Sequence, residues 1–355
     1  MMSISRNRDV DERCEEEQER LRSKHLTTDI MSAVTVDLND LAHGKVDNVL
    51  PEAFGPDSLG IILVKGLPEE YHQLRRKVLR SACDLAHLPK EKLDKLEHAE
   101  SKWLVGWSKG KEKLVDGRPD EYKGSYYINC SFYKDPSLEG PPAEVAEDPQ
   151  YDDLKGYTAS NIWPSEEDIP QFEANVKRLI NIIVDTAAVV AAACDRYALN
   201  NGYQYPNGYL ERIVRQSTTT KARLLHYFAP KAASNDDWCG EHLDHGCLTG
   251  LTRAMLFDKD GNEVASTDPK AGLFIKNRRG DVVKVTIPED SLAFQTGEAL
   301  ELITSGQFKA VPHFVQSTHG VCRNTLAVFC QPDLHEKVGS ADFAQFCRTI
   351  VRRNH

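Results

Sequence analysis

The sequence predicts an α+β fold in which a jelly roll or sandwich of short strands packs against long helices. After residue 202 the chain becomes a series of short apolar segments separated by turns, such as KDG at 259–261 and RRGD at 278–281. Before that point, residues 170–199 carry apolar side chains at helical spacing, which indicates a long helix lying on a flat surface. The same spacing at 68–88 predicts a second helix.

Individual strands are predicted from apolar runs and from alternation of apolar and polar residues. In the N-terminal half these are the AVTVDL segment at 33–38 and the segment 60–65. In the second half the predicted strands are 223–228, 248–257, 273–275, 282–287, 300–303, 311–315 and 325–330. The stretch from about 100 to 165 is rich in Gly, Pro and Tyr and is interpreted as a long ordered loop.

These patterns divide the chain into four segments. They are a charged N-terminal arm at 1–28, a helical and mixed region at 29–200, a jelly-roll domain at 201–335 and a C-terminal helix at 336–355.

Composition excludes several classes of protein. The 355 residues are 40% hydrophobic and 28% charged, as in ordinary globular domains, and the net charge of −10 disfavours nucleic acid as a partner. The first twenty residues lack the apolar core of a secretory signal, and the nine cysteines form no C-x-x-C pair. We therefore expect a soluble, cytoplasmic protein with reduced thiols, no membrane or nucleic-acid partner and no obligate protein partner.

Two His-x-acid pairs occur in the sequence, and only one has the geometry of a metal chelate. His98 and Glu100 lie in the helix-like run EKLDKLEHAE, where residues i and i+2 point about 200° apart. His242 and Asp244 lie beside a predicted strand, where residues i and i+2 project from the same face. The second pair is therefore the candidate chelate.

A third ligand has to come from another strand, and His313 in FKAVPHFVQ is the candidate. Two imidazoles and one carboxylate on one face of an octahedron form the facial triad of non-haem Fe(II) oxygenases. The three open positions allow a bidentate co-substrate and then O₂ to bind side by side. His245 faces the other side of the strand from His242, so it is interpreted as structural or supporting.

Arg323 and Thr325 precede an apolar strand ten residues after His313. On a strand they share one face, so that a guanidinium and a hydroxyl are directed into the same cavity. This pair suits a carboxylate, which Arg binds bidentately. Tyr227 and His226, on another predicted strand, are equally compatible with a site role and with local hydrogen bonding.

The order of these motifs resembles the 2-oxoglutarate/Fe(II)-dependent dioxygenase superfamily, in its isopenicillin N synthase-like branch. The motifs are His242-x-Asp244, a GxFKxxxH segment at 306–313 and Arg323-x-Thr325. The N-terminal GIILVKGLP and LPKEK segments are also similar to that branch. The resemblance implies a double-stranded β-helix, a jelly roll, with flanking helices packed on the sheet.

The same resemblance implies the chemistry of the site. Fe(II) would be bound by His242, Asp244 and His313, and the distal carboxylate of 2-oxoglutarate by Arg323 and Thr325, with Tyr227 as a further co-substrate contact. O₂ would be consumed, ascorbate would be an optional auxiliary reductant, and a small organic substrate would be hydroxylated or desaturated with release of succinate and CO₂.

The chain departs from the family pattern at several positions. The family's N-Y-Y-P strand is HYFA at 226–229, its G-D is GE at 297–298, and its R-x-S serine is Thr325. The interval from Asp244 to His313 is long, which predicts an additional hairpin near 258–272.

Two alternatives stay open at this point. One is an iron oxygenase or oxidase that takes its electrons from the substrate or ascorbate rather than from 2-oxoglutarate. The other is a non-catalytic jelly-roll protein that binds a small molecule. Trp107, Tyr126 and Tyr127 could line a substrate entrance, although simple packing is the preferred interpretation.

Overall fold

The structure, a computed structural model, describes residues 32–112, 118–203, 206–230, 238–265, 268 and 270–353. The charged arm predicted at 1–28 lies outside these residues. From Ala33 onward the chain belongs to one compact unit.

The strands of the described chain follow one another as short segments. They are β1 Val34–Asp37, β2 Ile61–Lys65, β3 Gly106–Lys109, β4 Lys123–Asn129, β5 Lys221–Tyr227, β6 Cys239–His242, β7 Leu248–Thr252, β8 Met255–Phe257, β9 Glu263–Val264, β10 Gly272–Lys276, β11 Val282–Val285, β12 Leu292–Thr296, β13 His313–Gln316, β14 Cys322–Cys330, β15 Lys337–Val338 and β16 Ala341–Asp342.

The α-helices lie mostly before β5. They are α1 Leu38–Ala42, α2 Leu50–Phe54, α3 Glu70–Ala86, α4 Lys90–Leu93, α5 Ala143–Ala146, α6 Lys155–Thr158, α7 Phe172–Asn200, α8 Tyr209–Gln216, α9 Glu298–Ile303 and α10 Phe343–Arg353. Within the described ranges, no helix combines the length and the apolar character needed to cross a bilayer.

Most strands form a large sheet and a small sheet, as expected for the predicted double-stranded β-helix, and β15 and β16 form a separate two-stranded sheet. The large sheet has the order β1-β2-β12-β7-β14-β5-β4-β3, with β8 and β9 attached to β14, and the small sheet has the order β11-β10-β13-β6. All pairs are antiparallel except β1 with β2. The predicted α+β class and jelly-roll core are confirmed.

The long helix α7 packs against α3 and against strands β7 and β14 of the large sheet. Its predicted apolar stripe is buried, and consists of Phe172, Val176, Leu179, Ile183, Ala187, Val190 and Cys194. Helix and sheet approach closely at Gly250 in β7, where an added Cβ would overlap Cγ2 of Ile183 and lie 3.0 Å from a ring carbon of Phe294. The absence of a side chain at 250 therefore permits the close packing.

The interpretation of 100–165 as a loop was wrong for part of that stretch. Strands β3 and β4 lie within it and extend the large sheet beyond β5. The glycine-rich and charged residues between the two strands obscured the alternation of apolar and polar positions. As a result, strands on both sides of the predicted boundary near residue 200 share one sheet.

Three further details of the jelly roll differ from the predictions. The run 300–303 lies in helix α9, because an apolar run this short is equally compatible with a helix and a strand. The strand β12, which pairs with β2 and β7 at the centre of the large sheet, was not predicted. The predicted strand 248–257 is divided into β7 and β8, and β8 forms the additional hairpin with β9.

We expect Gly250→Ala to destabilise the fold by about 1–3 kcal/mol, because a methyl group must displace Ile183 or the ring of Phe294. Urea unfolding would measure this decrease in the free energy of unfolding. Gly240→Ala in β6 is the matched control, since an added Cβ there meets no atom within 4 Å. Equal stability of the two variants would contradict the packing argument.

Candidate metal centre and its cavity

Three candidate ligands converge where β6 and β13 meet. His242 ends β6 and His313 begins β13, and the two residues are directly opposite each other in the antiparallel pair. Their ring centroids are 4.3 Å apart. Asp244 follows β6, and one ligand atom from each of the three residues lies within 4.8 Å of the others. The structure therefore brings the predicted triad together.

Hydrogen bonds orient both imidazoles toward Asp244. The Nδ1–H of His242 donates to the carbonyl of Gly240 at 2.8 Å, and the Nδ1–H of His313 donates to that of Val311 at 3.3 Å. The Nε2 atoms lie 3.8 and 3.7 Å from Oδ1 of Asp244. A proton held on Nδ1 leaves the Nε2 lone pair free for a metal. This donor set of two nitrogens and one carboxylate fits Fe(II).

Two other histidines, His245 and His98, have local hydrogen-bond partners. His245 lies outside the triad, and its Nδ1–H donates to a carboxylate oxygen of Glu298 at 2.8 Å. His98 accepts a hydrogen bond from the backbone N–H of Ser101 at 3.1 Å, and so stabilises a turn. Neither residue belongs to the cluster around Asp244.

A cavity of about 730 Å³ contains the triad and is lined by strands of both sheets. Arg323, Thr325 and Tyr227 also line it, so the cavity extends from the candidate metal centre to the predicted carboxylate anchor. In the part of the chain that the structure describes, neither Trp107, Tyr126 nor Tyr127 lines this cavity, and all three are buried.

Arg323 is a buried cation with an unused donor. Its side chain lies beside the rings of Tyr227 and Trp238, with Cζ 5.3 and 5.9 Å from their centroids. Nη1 is buried and has no hydrogen-bond partner among the described residues. Burial lowers the pKa of Arg323, and the nearby Tyr227 and Cys239 oppose that shift. A buried guanidinium with a free donor favours the binding of an anionic ligand.

Thr325 and Tyr227 complete the wall next to Arg323. The hydroxyl of Thr325 donates to the carbonyl of Thr252 at 3.3 Å, a long hydrogen bond. Burial raises the pKa of Tyr227 to about 12, so its hydroxyl keeps its proton near neutral pH. Both side chains are therefore neutral polar groups beside the cation.

His226 points to the opposite face of β5 from Tyr227. Its Nδ1–H donates to Oδ1 of Asn324 at 2.7 Å, and Asn324 also donates to the backbone of α3. His226 is only 1% exposed, and burial lowers its pKa to about 4. Its position between the sheet and α3 favours the local, structural role.

Arg223 and Trp238 are among the residues of the cavity wall that motif reasoning missed. Arg223 precedes Tyr227 by four residues on the same face of β5, so strand alternation could have identified it. Its guanidinium donates to the hydroxyl of Ser125 at 2.8 and 3.0 Å and to the carboxylate of Glu112. Trp238 lies just before β6 and belongs to no motif.

Part of the chain matches a known protein family. The family model of the 2OG-Fe(II) oxygenase superfamily matches residues 220–332, a range that contains every predicted site residue. A homoarginine-6-hydroxylase of Arabidopsis thaliana is 20% identical over 310 residues, which cover 86% of this chain and 82% of that protein.

Solved structures have the same fold. A full-length Neurospora crassa protein, solved in complex with alpha-KG (2-oxoglutarate) and thymine, has a TM-score of 0.62 at 21% identity, and the match covers 87% of this chain and 88% of that one. A rice dioxygenase for auxin oxidation has a TM-score of 0.61 at 16% identity, with coverages of 91% and 96%.

The jelly-roll fold and the match to the family model together indicate a 2-oxoglutarate-dependent dioxygenase. The region 220–332 therefore belongs to the 2OG-Fe(II) oxygenase superfamily, whose members are 2-oxoglutarate-dependent dioxygenases. Its architecture is consistent with the isopenicillin N synthase-like branch.

His226 should make the fold sensitive to acid. Because its folded pKa is about 4 and its ordinary value is 6.5, only the unfolded chain binds the proton between these values. We expect His226 to lower the free energy of unfolding by about 2–3 kcal/mol as the pH falls from 7 to 4. Urea unfolding across this range should show a shallower dependence for His226→Gln, whereas His72→Gln, an exposed histidine of α3, should keep the wild-type dependence. Parallel curves for wild type and His226→Gln would refute the assignment.

Proposed function

We propose that this protein binds Fe(II) through His242, Asp244 and His313 and uses 2-oxoglutarate and O₂ to oxidise a small organic molecule. In a hydroxylation, the substrate C–H becomes C–OH while 2-oxoglutarate is converted to succinate and CO₂. Bound Fe(II) supplies the activation of O₂. The protein binds the reactants, orients them and limits the access of water.

The metal-binding proposal is supported by the orientation of the two imidazoles. Both direct Nε2 toward one carboxylate oxygen, and backbone carbonyls fix both rings. His313 and Asp244 are buried, while the side chain of His242 is 41% exposed. The three residues therefore hold a metal from one side and leave its other side toward the cavity.

The unused donor of Arg323 is the observation that carries the co-substrate proposal. An isolated buried guanidinium is unfavourable, and a carboxylate in the cavity would satisfy Nη1 and balance the charge. The second carboxylate and the keto group of 2-oxoglutarate would then face the metal centre. An oxidase that takes all its electrons from the substrate would leave this arginine without a ligand, which disfavours that alternative.

A cavity of about 730 Å³ suits a small molecule in addition to 2-oxoglutarate. Arg76, Arg253 and Glu289 lie along the cavity lining with side chains that are 42–44% exposed. The substrate therefore meets charged as well as apolar groups. The molecules named with the relatives, homoarginine and thymine, are also small and polar.

The use of ascorbate as an auxiliary reductant and the cytoplasmic location of the protein stay predictions.

Removal of Asp244 tests the metal centre. We expect Asp244→Ala to weaken Fe(II) or Mn(II) binding by at least about 100-fold in anaerobic equilibrium dialysis, because a direct ligand should contribute more than its supporting residues do. His245→Ala is the matched control and should bind metal within about twofold of wild type. Unchanged affinity in Asp244→Ala would rule out this centre.

Removal of Arg323 tests the co-substrate. We expect Arg323→Met to raise the Kd of 2-oxoglutarate by about 30- to 5000-fold, the effect of losing a buried charged contact of about 2–5 kcal/mol. Anaerobic titration would follow the visible charge-transfer band of the complex of Fe(II) and 2-oxoglutarate.

Arg253→Met is the matched control, because Arg253 lines the same cavity but is half exposed and lies near Glu289. It should keep the wild-type affinity. If Arg323→Met bound 2-oxoglutarate as tightly as wild type, Arg323 would not be the anchor. In wild type, succinate should form only when 2-oxoglutarate is supplied, which separates this proposal from an oxidase and from a non-catalytic binding protein.

A further inference from the structure

Trp238 forms part of the wall around the candidate co-substrate anchor. Its side chain lines the cavity and is only 4% exposed. Its ring lies 5.6 Å from the ring of Tyr227, at an interplanar angle of 33°. The guanidinium carbon of Arg323 is 5.9 Å from the Trp238 ring centroid. Arg323 therefore lies close to two aromatic rings that restrict its orientation.

The indole N–H of Trp238 is a buried donor without an acceptor in the described parts of the chain. An indole nitrogen can only donate, so no rearrangement of its own proton can satisfy it. Two other tryptophans have acceptors, since Trp103 donates to Glu97 at 3.0 Å and Trp163 to Glu139 at 2.8 Å. The unsatisfied donor is therefore a local feature of the cavity wall.

Trp238 and Arg323 both line this cavity, and each has a buried donor without a hydrogen-bond partner among the described residues. A carboxylate accepts about four hydrogen bonds, of which a bidentate arginine supplies two. The single hydroxyl hydrogen of Thr325 is already directed at the carbonyl of Thr252. A carboxylate bound by Arg323 and Thr325 alone would thus lack donors, and the indole N–H is available to supply one.

We propose that the indole N–H of Trp238 donates a hydrogen bond to the distal carboxylate of 2-oxoglutarate, next to the guanidinium of Arg323. This inference rests on the proposed function, and adds a co-substrate contact that the R-x-S/T motif does not contain. Trp238 also packs beside Tyr227 and Arg323, so it both binds the carboxylate and holds the arginine in position.

The test compares Trp238→Phe with wild type by anaerobic titration of the Fe(II)-loaded protein with 2-oxoglutarate. Phenylalanine keeps an aromatic ring but removes the N–H. We expect the Kd of 2-oxoglutarate to rise about 5- to 20-fold and Fe(II) affinity to stay unchanged. Trp163→Phe is the matched control, because its N–H is bonded to Glu139 and it does not line the cavity. It should keep the wild-type Kd.

A second measurement uses wild-type protein and does not depend on how the variant folds. The indole ¹H–¹⁵N resonance of Trp238, assigned by its absence from the Trp238→Phe spectrum, is recorded in Zn(II)-loaded protein. Addition of 2-oxoglutarate should shift this resonance downfield, as expected for a new hydrogen bond to a carboxylate, while the Trp163 resonance should stay in place.

The outcomes separate the two proposals. If wild type binds 2-oxoglutarate and Arg323→Met does not, but the Trp238 resonance is unmoved and Trp238→Phe keeps the wild-type Kd, the tryptophan contact is overturned and the proposed function stands. If wild type loaded with Fe(II) does not bind 2-oxoglutarate, both are overturned. A raised Kd together with the resonance shift supports the contact.

Discussion

The antiparallel pairing of β6 with β13 is the constraint on which the site depends. It places His242 directly opposite His313, although the two residues are far apart in sequence. Asp244 then needs only to follow the end of β6 to reach both rings. Backbone carbonyls fix the ring orientations, so strand register and main-chain hydrogen bonds determine where the two imidazoles lie.

A second constraint is electrostatic, because the inner face of the large sheet carries two arginines with different partners, a half-buried Arg223 and a buried Arg323. Arg223 is bonded to Glu112 and Ser125, so its charge is compensated within the fold. Arg323 has aromatic neighbours instead, and its Nη1 has no hydrogen-bond partner in the part of the chain that the structure describes. In the proposed function, the same residue type therefore forms a structural ion pair at one position and would bind an anionic ligand at the other.

The sequence predicted the parts of the site that depend on strand alternation and motif order. His242 with Asp244, and Arg323 with Thr325, share a face because residues two apart on or beside a strand do so. Trp238 has no such signal. Arg223 donates to Glu112, which is 111 residues away in sequence and lies in the stretch that was interpreted as a loop. Helix α9 was predicted as a strand because a four-residue apolar run has no distinguishing period.

The extension of the large sheet by β3 and β4 has a consequence for modularity. These strands cover the edge of β5, which carries Arg223 and Tyr227 on its cavity face. Without them the jelly roll would expose an unpaired strand edge and lose Ser125, a partner of Arg223. The family-matched region 220–332 is therefore not a transplantable unit, and grafting it into another scaffold would require the N-terminal strands as well.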